Sequence, residues 1–290
     1  MSLGRNDGTA SASFPHMWSE REFPPPAPET VVTGSSAESR RTRDEQHERN
    51  RADVPECGHE EESVPLARTS GSAIDIDAAL RGVLTLGWLE ADGVRHEALP
   101  EAYARECDEV VGRMRARFEH RQAGDIPGVS ENRSMFHRLG IDPTKTRPSS
   151  EALLRRVLKG QSLPSINPIV DVCNLASLEF QLSLGLYDRN EIRGPVFARL
   201  GRKGEGYDGI RKAHVNLGGR PLLADDDGAF GAPTSDSART QVTEATNTLL
   251  VIVYRPLARP GEDLSSMLAR VADLLARYCG ATVRVVQTLR

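Results

Sequence analysis

The sequence lacks paired cysteines and any long hydrophobic run. Its four cysteines, Cys57, Cys107, Cys173 and Cys279, lie far apart and form no Cys-x-x-Cys pair, which argues against a zinc ribbon and against a redox dithiol. The longest purely apolar run near a regular element covers six residues, 249–254, whereas a membrane helix needs about 20. The first ten residues are polar and contain no secretion signal. These absences predict a cytoplasmic protein without a membrane partner.

Common catalytic signatures are also missing. The chain has no Gly-x-Ser-x-Gly nucleophile motif, no His-Glu-x-x-His zinc motif and no phosphate-binding loop. The run Asp225-Asp226-Asp227-Gly228 lacks the spaced ligands of a calcium loop, so a solvated hairpin turn is favoured over a metal site. The sequence therefore predicts neither a metal nor a cofactor.

Composition divides the chain near residue 70. Residues 1–70 contain seven prolines and carry 8 basic against 13 acidic residues. Such a segment buries too little apolar surface to offset its chain entropy, so a disordered, acidic extension is predicted. Residues 71–290 carry 29 basic and 28 acidic residues and contain no linker. They are predicted to form a single domain.

Within that domain, the spacing of apolar residues predicts both helices and strands. Helical spacing covers 103–118, 149–158, 170–184 and 264–278. Ser149 or Ser150 is the expected cap of the second helix, and Gly185 the expected end of the third. Strands are predicted at 74–89, 195–200, 213–217, 222–224, 248–254 and 282–289, and a loop is predicted after residues 124–128, up to the second helix at Pro148. The predicted fold class is mixed α/β (α+β).

Two segments concentrate positive charge. Residues 133–159 hold seven basic against two acidic residues, and residues 189–220 hold eight against three. Such clusters attract a polyanion, although a run of charge is more often an ordinary solvated face. The candidate contacts to RNA are Arg133, Arg138, Arg147, Arg202 and Lys203.

A glycine-rich stretch at residues 228–237 is more specific. Small side chains let a ligand approach the main chain, and free backbone N–H groups in a turn bind a carboxylate, a phosphate or a developing oxyanion. Hydroxyl groups, Asp236 and Arg239 follow the glycines directly. A flexible hairpin loop explains the same composition equally well.

Three stretches together resemble one family. They are Asn167-Pro168-Ile169-Val170-Asp171-Val172-Cys173-Asn174 running on to Asp188, the turn Gly228-Ala229-Phe230-Gly231, and Thr243-Glu244-Ala245-Thr246-Asn247-Thr248-Leu249-Leu250. Their order and spacing are similar to those of the B3/B4 domain in the β subunit of bacterial phenylalanyl-tRNA synthetase, over about residues 133–254. The resemblance implies a compact, freestanding B3/B4-like domain that binds tRNA. In the synthetase this domain hydrolyses tyrosine wrongly esterified to phenylalanine tRNA.

The resemblance implies roles for individual residues. Asn174 stands at the family's pocket asparagine, and Gly228 and Gly231 stand at its loop glycines. The pocket histidine of the family falls at Gly185, and the glutamate that binds the tyrosine hydroxyl falls at Val251. An apolar residue leaves a buried phenol without its hydrogen bond, which costs about 1–3 kcal/mol. Tyrosine is therefore not the expected amino acid.

Hydrolysis of an aminoacyl ester needs mainly a positioned water and a stabilised oxyanion. Amides of the glycine-rich stretch are the candidate oxyanion donors. Asn174, Thr234 and Asp236 are the candidate catalytic residues that orient water, without a covalent intermediate. The substrate-binding candidates are Gly228, Gly231, Ser235, Arg239, Thr246, Val251 and Gly185. Structural alternatives remain open: Asn174 bonding nearby backbone, Arg239 pairing with Asp236, and Thr246 satisfying a strand entry.

The leading interpretation is a tRNA-binding protein that hydrolyses mischarged aminoacyl-tRNA in trans. The second is a non-catalytic module that binds RNA or an amino acid, which the departures at Gly185 and Val251 favour. The third is a small-molecule binder or hydrolase unrelated to tRNA. A steep fall of tRNA affinity with salt separates the first two from the third.

Overall fold

A four-stranded antiparallel sheet separates two layers of the molecule. The computed structural model describes residues 73–210, 213–259 and 264–289, and the predicted extension at residues 1–70 lies outside this part. The helices are α1 (Ala78–Arg81), α2 (Glu101–Arg117), α3 (Pro127–Arg138), α4 (Ser149–Leu158), α5 (Pro168–Phe180) and α6 (Leu264–Cys279). The strands are β1 (Ile74–Ile76), β2 (Leu84–Asp92), β3 (Ser183–Asp188), β4 (Val196–Leu200), β5 (Gly206–Asp208), β6 (His214–Asn216), β7 (Pro221–Asp225), β8 (Gly228–Gly231), β9 (Thr248–Pro256) and β10 (Thr282–Leu289).

The strands form three groups. The central sheet has the order β10-β2-β9-β3 and is antiparallel throughout. The second sheet has the order β1-β4-β7-β8, in which only β1 and β4 run parallel. Strands β5 and β6 form a separate antiparallel pair. Helices and strands thus combine in one mixed fold, as the sequence predicts.

The two faces of the central sheet pack against different partners, because successive strand residues point to opposite faces. On one side, here called the helix face, Leu89, Val251 and Val253 are buried with residues of α2, α4, α5 and α6. On the other, the sheet face, Leu86 and Ile252 are buried with residues of α3 and the second sheet. None of the described helices has both the length and the hydrophobicity needed to cross a membrane.

The helix predicted at residues 170–184 ends earlier than expected. It closes at Gln181, which adopts the left-handed conformation with φ 54°. The side chain of Asn132 holds this turn, since its Nδ2 donates to the carbonyl oxygens of Gln181 (2.6 Å) and Gly128 (2.7 Å). Gly185 is therefore not a helix terminator, because it lies inside β3.

Two further expectations need correction. Residues 127–138 form α3, within the segment before Pro148 that the sequence predicts to be a loop. Helix α4 begins after Pro148 without a side-chain cap, and the Ser150 hydroxyl is buried without a hydrogen-bond partner. The expected serine cap is thus wrong. The hairpin turn is confirmed, because Asp226 and Asp227 connect β7 to β8.

Candidate functional site

Two glycines of the predicted pocket face the same tyrosine ring. Gly185 on β3 and Gly231 on β8 lie so close to Tyr187 that a Cβ atom at either position would sit 2.7 or 2.6 Å from its Cζ atom. Real Cβ atoms do not approach a ring carbon that closely. Tyr187 is fully buried and packs edge-to-face on Phe230, with ring centroids 5.1 Å apart. The missing side chains therefore make room for this phenol.

Three tyrosine hydroxyls gather around Asp236. The hydroxyls of Tyr187 and Tyr254 lie 3.3 Å apart, and the Tyr207 hydroxyl donates to the carbonyl oxygen of Ser235. Burial raises the pKa of all three phenols, and the nearby Asp236 carboxylate raises each further. They stay protonated at neutral pH. We call Tyr187, Tyr207, Tyr254 and Asp236 the tyrosine cluster.

The glycine-rich stretch is held by an ion pair that the sequence did not predict. Arg239 donates two hydrogen bonds to the buried carboxylate of Asp225, at 2.8 and 3.0 Å, and a third to the Glu191 carbonyl oxygen at 2.7 Å. Arg239 thus braces this stretch, as one alternative left open by the sequence has it, but through Asp225 instead of Asp236. The backbone N–H of Ser237 donates to the Phe230 carbonyl oxygen at 3.0 Å, and the Ser237 hydroxyl accepts from the backbone N–H of Arg239 at 2.9 Å. The stretch is a braced strand and turn rather than a flexible loop.

Thr246 has a complete set of local partners. Its hydroxyl donates to the carboxylate of Asp188 at 2.6 Å and accepts from the backbone N–H of Thr243 at 3.0 Å. Both Thr246 and Asp188 are buried. These bonds fix the entry to β9, which is the structural alternative that the sequence left open.

Asn174 and Val251 lie on the helix face, away from the glycine pair. Val251 is paired with Leu186, and both belong to the helix-face core, whereas Gly185 is paired with Ile252 on the sheet face. Asn174 sits in α5, and its buried Nδ2 has no hydrogen-bond partner among the described residues. The structure thus does not bring the positions of the family histidine and glutamate to one face.

Thr234 and Asp236 occupy the accessible end of the glycine-rich stretch. Thr234, Ser235 and Asp236 are each half-buried, in contrast to the buried Phe230 and Gly231. The Asp236 carbonyl oxygen accepts from the backbone N–H of Ile210 at 3.2 Å. Residues 234–236 are therefore more exposed than the three buried tyrosines.

The first basic segment is organised around a buried carboxylate. Glu151 has no exposed side-chain surface. It accepts two hydrogen bonds from Arg133 (2.7 and 2.8 Å) and one from Arg155 (2.7 Å), and Arg147 approaches to 3.6 Å. Burial raises the pKa of Glu151, but the bonds from Arg133 and Arg155 outweigh burial and lower it overall. Arg133 and Arg147 therefore serve the fold, whatever else they contact.

The other RNA candidates are more accessible. Arg138 is exposed and donates to the Gly82 carbonyl oxygen at 2.6 Å. Arg202 and Lys203 are exposed in the turn between β4 and β5. Arg211 and Lys212, which contributed to the second basic segment, lie outside the described residues.

The roles of the three tyrosines and of Glu151 are not predicted from the sequence. The alternation Ser183, Gly185, Tyr187 in β3 does place Gly185 and Tyr187 on one face. This alternation does not stand out in the sequence, because the helical pattern at residues 170–184 includes Ser183 and makes Gly185 the expected helix end. In the described residues, no group of three or more histidine, cysteine, aspartate or glutamate side chains has the arrangement of a metal site.

Comparisons with known proteins agree with the earlier resemblance. Residues 131–256 match the family model of the B3/4 domain. The chain is 29% identical over 161 residues to the phenylalanine–tRNA ligase beta subunit of Cutibacterium acnes (strain DSM 16379 / KPA171202), covering 47% of this chain and 19% of that one. It is 28% identical over 105 residues to the same subunit of Bartonella henselae (strain ATCC 49882 / DSM 28221 / CCUG 30454 / Houston 1), covering 36% and 13%.

A solved structure is also similar. It is the N-terminal fragment of the phenylalanyl-tRNA synthetase beta subunit from Pyrococcus horikoshii, with a TM-score of 0.39 and 14% identity over 75% of this chain and 54% of that chain. The matched region spans less than a fifth of the curated relatives' length. The chain carries a B3/B4-like domain, related to a domain of a tRNA synthetase subunit.

Proposed function

We propose that the protein binds tRNA and hydrolyses, in trans, the ester of a mischarged aminoacyl-tRNA whose amino acid is not tyrosine. The B3/4 match over residues 131–256 and the similarity to phenylalanine–tRNA ligase beta subunits support this class of function. The observation that carries the substrate preference is the position of Tyr187. The protein's own phenol fills the space that Gly185 and Gly231 leave, so a substrate phenol has no room there.

The reacting ester is placed at the half-buried segment Thr234–Asp236. A carboxylate at Asp236 and a hydroxyl at Thr234 are suited to orient an attacking water, and backbone amides of the glycine-rich stretch are suited to stabilise the oxyanion. An aminoacyl ester is already activated: water adds to its carbonyl carbon, the bond from that carbon to the ribose oxygen breaks, and this oxygen takes up the proton that the water loses. The neighbouring ribose hydroxyl of the tRNA assists by hydrogen-bonding to the leaving ribose oxygen, so the products are the free amino acid and the uncharged tRNA. No covalent intermediate is required.

The test is release of amino acid from separately charged tRNAs by the full chain. We expect selective release of one amino acid or a few related ones, and a loss of at least about 100-fold in Asp236→Asn, the range typical of removing a group that orients the reaction. Asp208→Asn is the matched control, because the Asp208 side chain is 84% exposed and its ion-pair partner among the described residues is His214. Tyrosine as the best substrate, or an acyl adduct on Ser235 or Ser237 by mass spectrometry, would contradict the proposal.

A second candidate function is a non-catalytic module that binds RNA or an amino acid. The same observation favours it, because the phenol of Tyr187 fills the space at Gly185, where the family has its pocket histidine, and so closes the pocket. Under this alternative the full chain binds tRNA with steep salt dependence yet releases no amino acid from any charged tRNA. Asp236→Asn then leaves tRNA affinity unchanged.

A further inference from the structure

A surface cavity on the helix side of the molecule combines several cations. It measures about 270 Å³, and we call it the basic cavity. Its wall is formed by seven residues: His120, Arg121, Gln122, Ala123, Arg155, Leu158 and Lys159. None of its lining residues in the described part of the chain is acidic. The cavity is distinct from the glycine-rich stretch, which lies on the sheet face.

The local fold holds the two sides of this cavity in place. After α2 ends, His120 adopts the left-handed conformation with φ 62°, which turns residues 120–123 back along the protein surface. The last turn of α4 supplies Leu158, and Lys159 follows as its C-terminal cap. Arg115 of α2 donates to the Val157 carbonyl oxygen at 3.0 Å. That bond links the two helices beside the cavity.

The buried Glu151 fixes one of the cavity's guanidinium groups. The Nε of Arg155 donates to its carboxylate at 2.7 Å, so the orientation of Arg155 is set before any ligand arrives. Arg133 and Arg147 approach the same carboxylate. Three guanidinium groups thus surround one negative charge, which leaves the neighbourhood of the cavity positively charged.

We infer that the basic cavity binds a phosphate group of the tRNA backbone, an inference that rests on the proposed tRNA binding. A preoriented arginine beside a second arginine and a lysine is the chemistry that recognises phosphate oxygens. A volume of about 270 Å³ admits a phosphate with part of its sugar. Contacts of this kind set the position of a nucleic acid without reading its sequence. The cavity therefore anchors the tRNA through its backbone.

The experiment measures the affinity of the full chain for a fluorescent tRNA at potassium chloride concentrations from about 50 to about 300 mM. The slope of log affinity against log salt concentration then reports the number of phosphate contacts. The variant Arg121→Gln/Lys159→Gln removes two exposed cations from the cavity. The control Arg105→Gln/Lys145→Gln makes the same charge change at exposed positions outside it. We expect the cavity variant to bind at least about fivefold more weakly, with a salt slope shallower by about 1 to 2, and the control to change affinity less than about twofold.

Each other outcome has a defined meaning. Equal losses in the two variants overturn the inference, since net charge alone then explains them. Normal tRNA binding by both variants also overturns it but leaves the proposed function standing. If the cavity variant loses affinity for inorganic phosphate, measured by calorimetry, while its tRNA affinity is unchanged, the cavity takes free phosphate and the assignment to tRNA fails. If the unaltered chain does not bind tRNA, both proposals fall.

Discussion

On the helix face of the central sheet the core is mainly aliphatic and the buried carboxylate of Glu151 lies beside it in an ion-pair cluster, whereas the sheet face encloses tyrosine hydroxyls beside two glycines. Charges at the edge of the helix face are paired in networks, such as Glu106 with Arg270 and Arg277. On the sheet face, the Tyr187 ring fits between Gly185 and Gly231 so closely that a Cβ atom at either glycine would overlap it. The helix face is stabilised mainly by burial of apolar surface and by ion pairs. The sheet face is stabilised by the close fit of Tyr187 against Gly185 and Gly231.

This contrast favours the sheet face for the proposed chemistry. The helix-face core consists mostly of leucine, valine and isoleucine, and Asn174 is the residue on that side to which a catalytic role is proposed. The sheet face brings a carboxylate, three hydroxyls and a braced main chain together. Substitutions on the two faces should therefore fail in different ways, and four predictions follow from the largest expected effect to the smallest.

The largest effect is expected where the helix face buries a charge. Glu151→Gln leaves Arg133, Arg147 and Arg155 without their shared carboxylate, so the free energy of unfolding should fall by about 3–5 kcal/mol. Urea denaturation measures the change. Glu101→Gln is the control, because that side chain is 84% exposed and its removal should cost less than about 1 kcal/mol. Equal losses would show that Glu151 is not a special site.

The sheet face should respond to a single methyl group. Gly231→Ala forces a Cβ atom into the Tyr187 ring and should lower the free energy of unfolding by about 1–3 kcal/mol. Gly112→Ala in α2 is the control, since nothing lies within 4 Å of its Cβ position and alanine favours a helix by about 1 kcal/mol. In Gly231→Ala/Tyr187→Leu the cost of the alanine should largely vanish. Additive losses in that double variant would argue against the steric explanation.

Two buried polar residues should differ in their cost. Thr246→Val removes the hydroxyl that donates to Asp188 and should destabilise the protein by about 1–3 kcal/mol. Asn174→Leu removes an Nδ2 that donates no hydrogen bond, so its effect should stay within about 1 kcal/mol. Thermal unfolding measures both. A larger loss at Asn174 than at Thr246 would mean that the asparagine amide has a structural partner after all.

The smallest effect concerns pH and the edge of the helix face. Burial raises the pKa of Glu106, but hydrogen bonds from Arg277, Tyr278 and Arg270 outweigh it and lower the pKa to about 2. Because the folded pKa lies below the unfolded value, the stabilisation is present above about pH 4.5 and is lost as the pH falls toward 2. In Glu106→Gln the loss of unfolding free energy between neutral pH and pH 2, measured by urea denaturation, should be smaller than in the unaltered protein by less than about 1 kcal/mol. Glu109→Gln, at an exposed position on the same helix, should leave that sensitivity unchanged.

The sequence predicted best where many apolar residues repeat within one element. Helices α2 and α6 and strands β9 and β10 lie within two residues of their predicted bounds. Helix α3 was missed because Pro127 and Gly128 at its start favour a loop, although proline is well tolerated in the first turn of a helix. Gly128 is required there for a distant reason: a Cβ atom would collide with the Gln181 side chain. Local propensity contains no information about such a contact.

The site was predicted less completely than the fold. The family resemblance identified the glycine-rich stretch and Asn174, but it gave no indication that a tyrosine fills the gap at Gly185. The partner of Arg239 was misassigned because Asp236 is nearer in sequence, whereas the turn after β7 brings Asp225 to the guanidinium. Both errors concern tertiary contacts that depend on strand register.

The central sheet also determines when the molecule can fold during synthesis. Strand β2 pairs along its whole length with β9, and then with β10 on its other edge, and both partners are made more than 150 residues later. At about 5–20 residues per second, β2 remains unpaired on the ribosome for roughly 10–30 s. Helices α2 to α5 form in the meantime, but the face on which they pack does not yet exist. Strand β2 of the nascent chain therefore stays exposed to chaperones until β9 has been made.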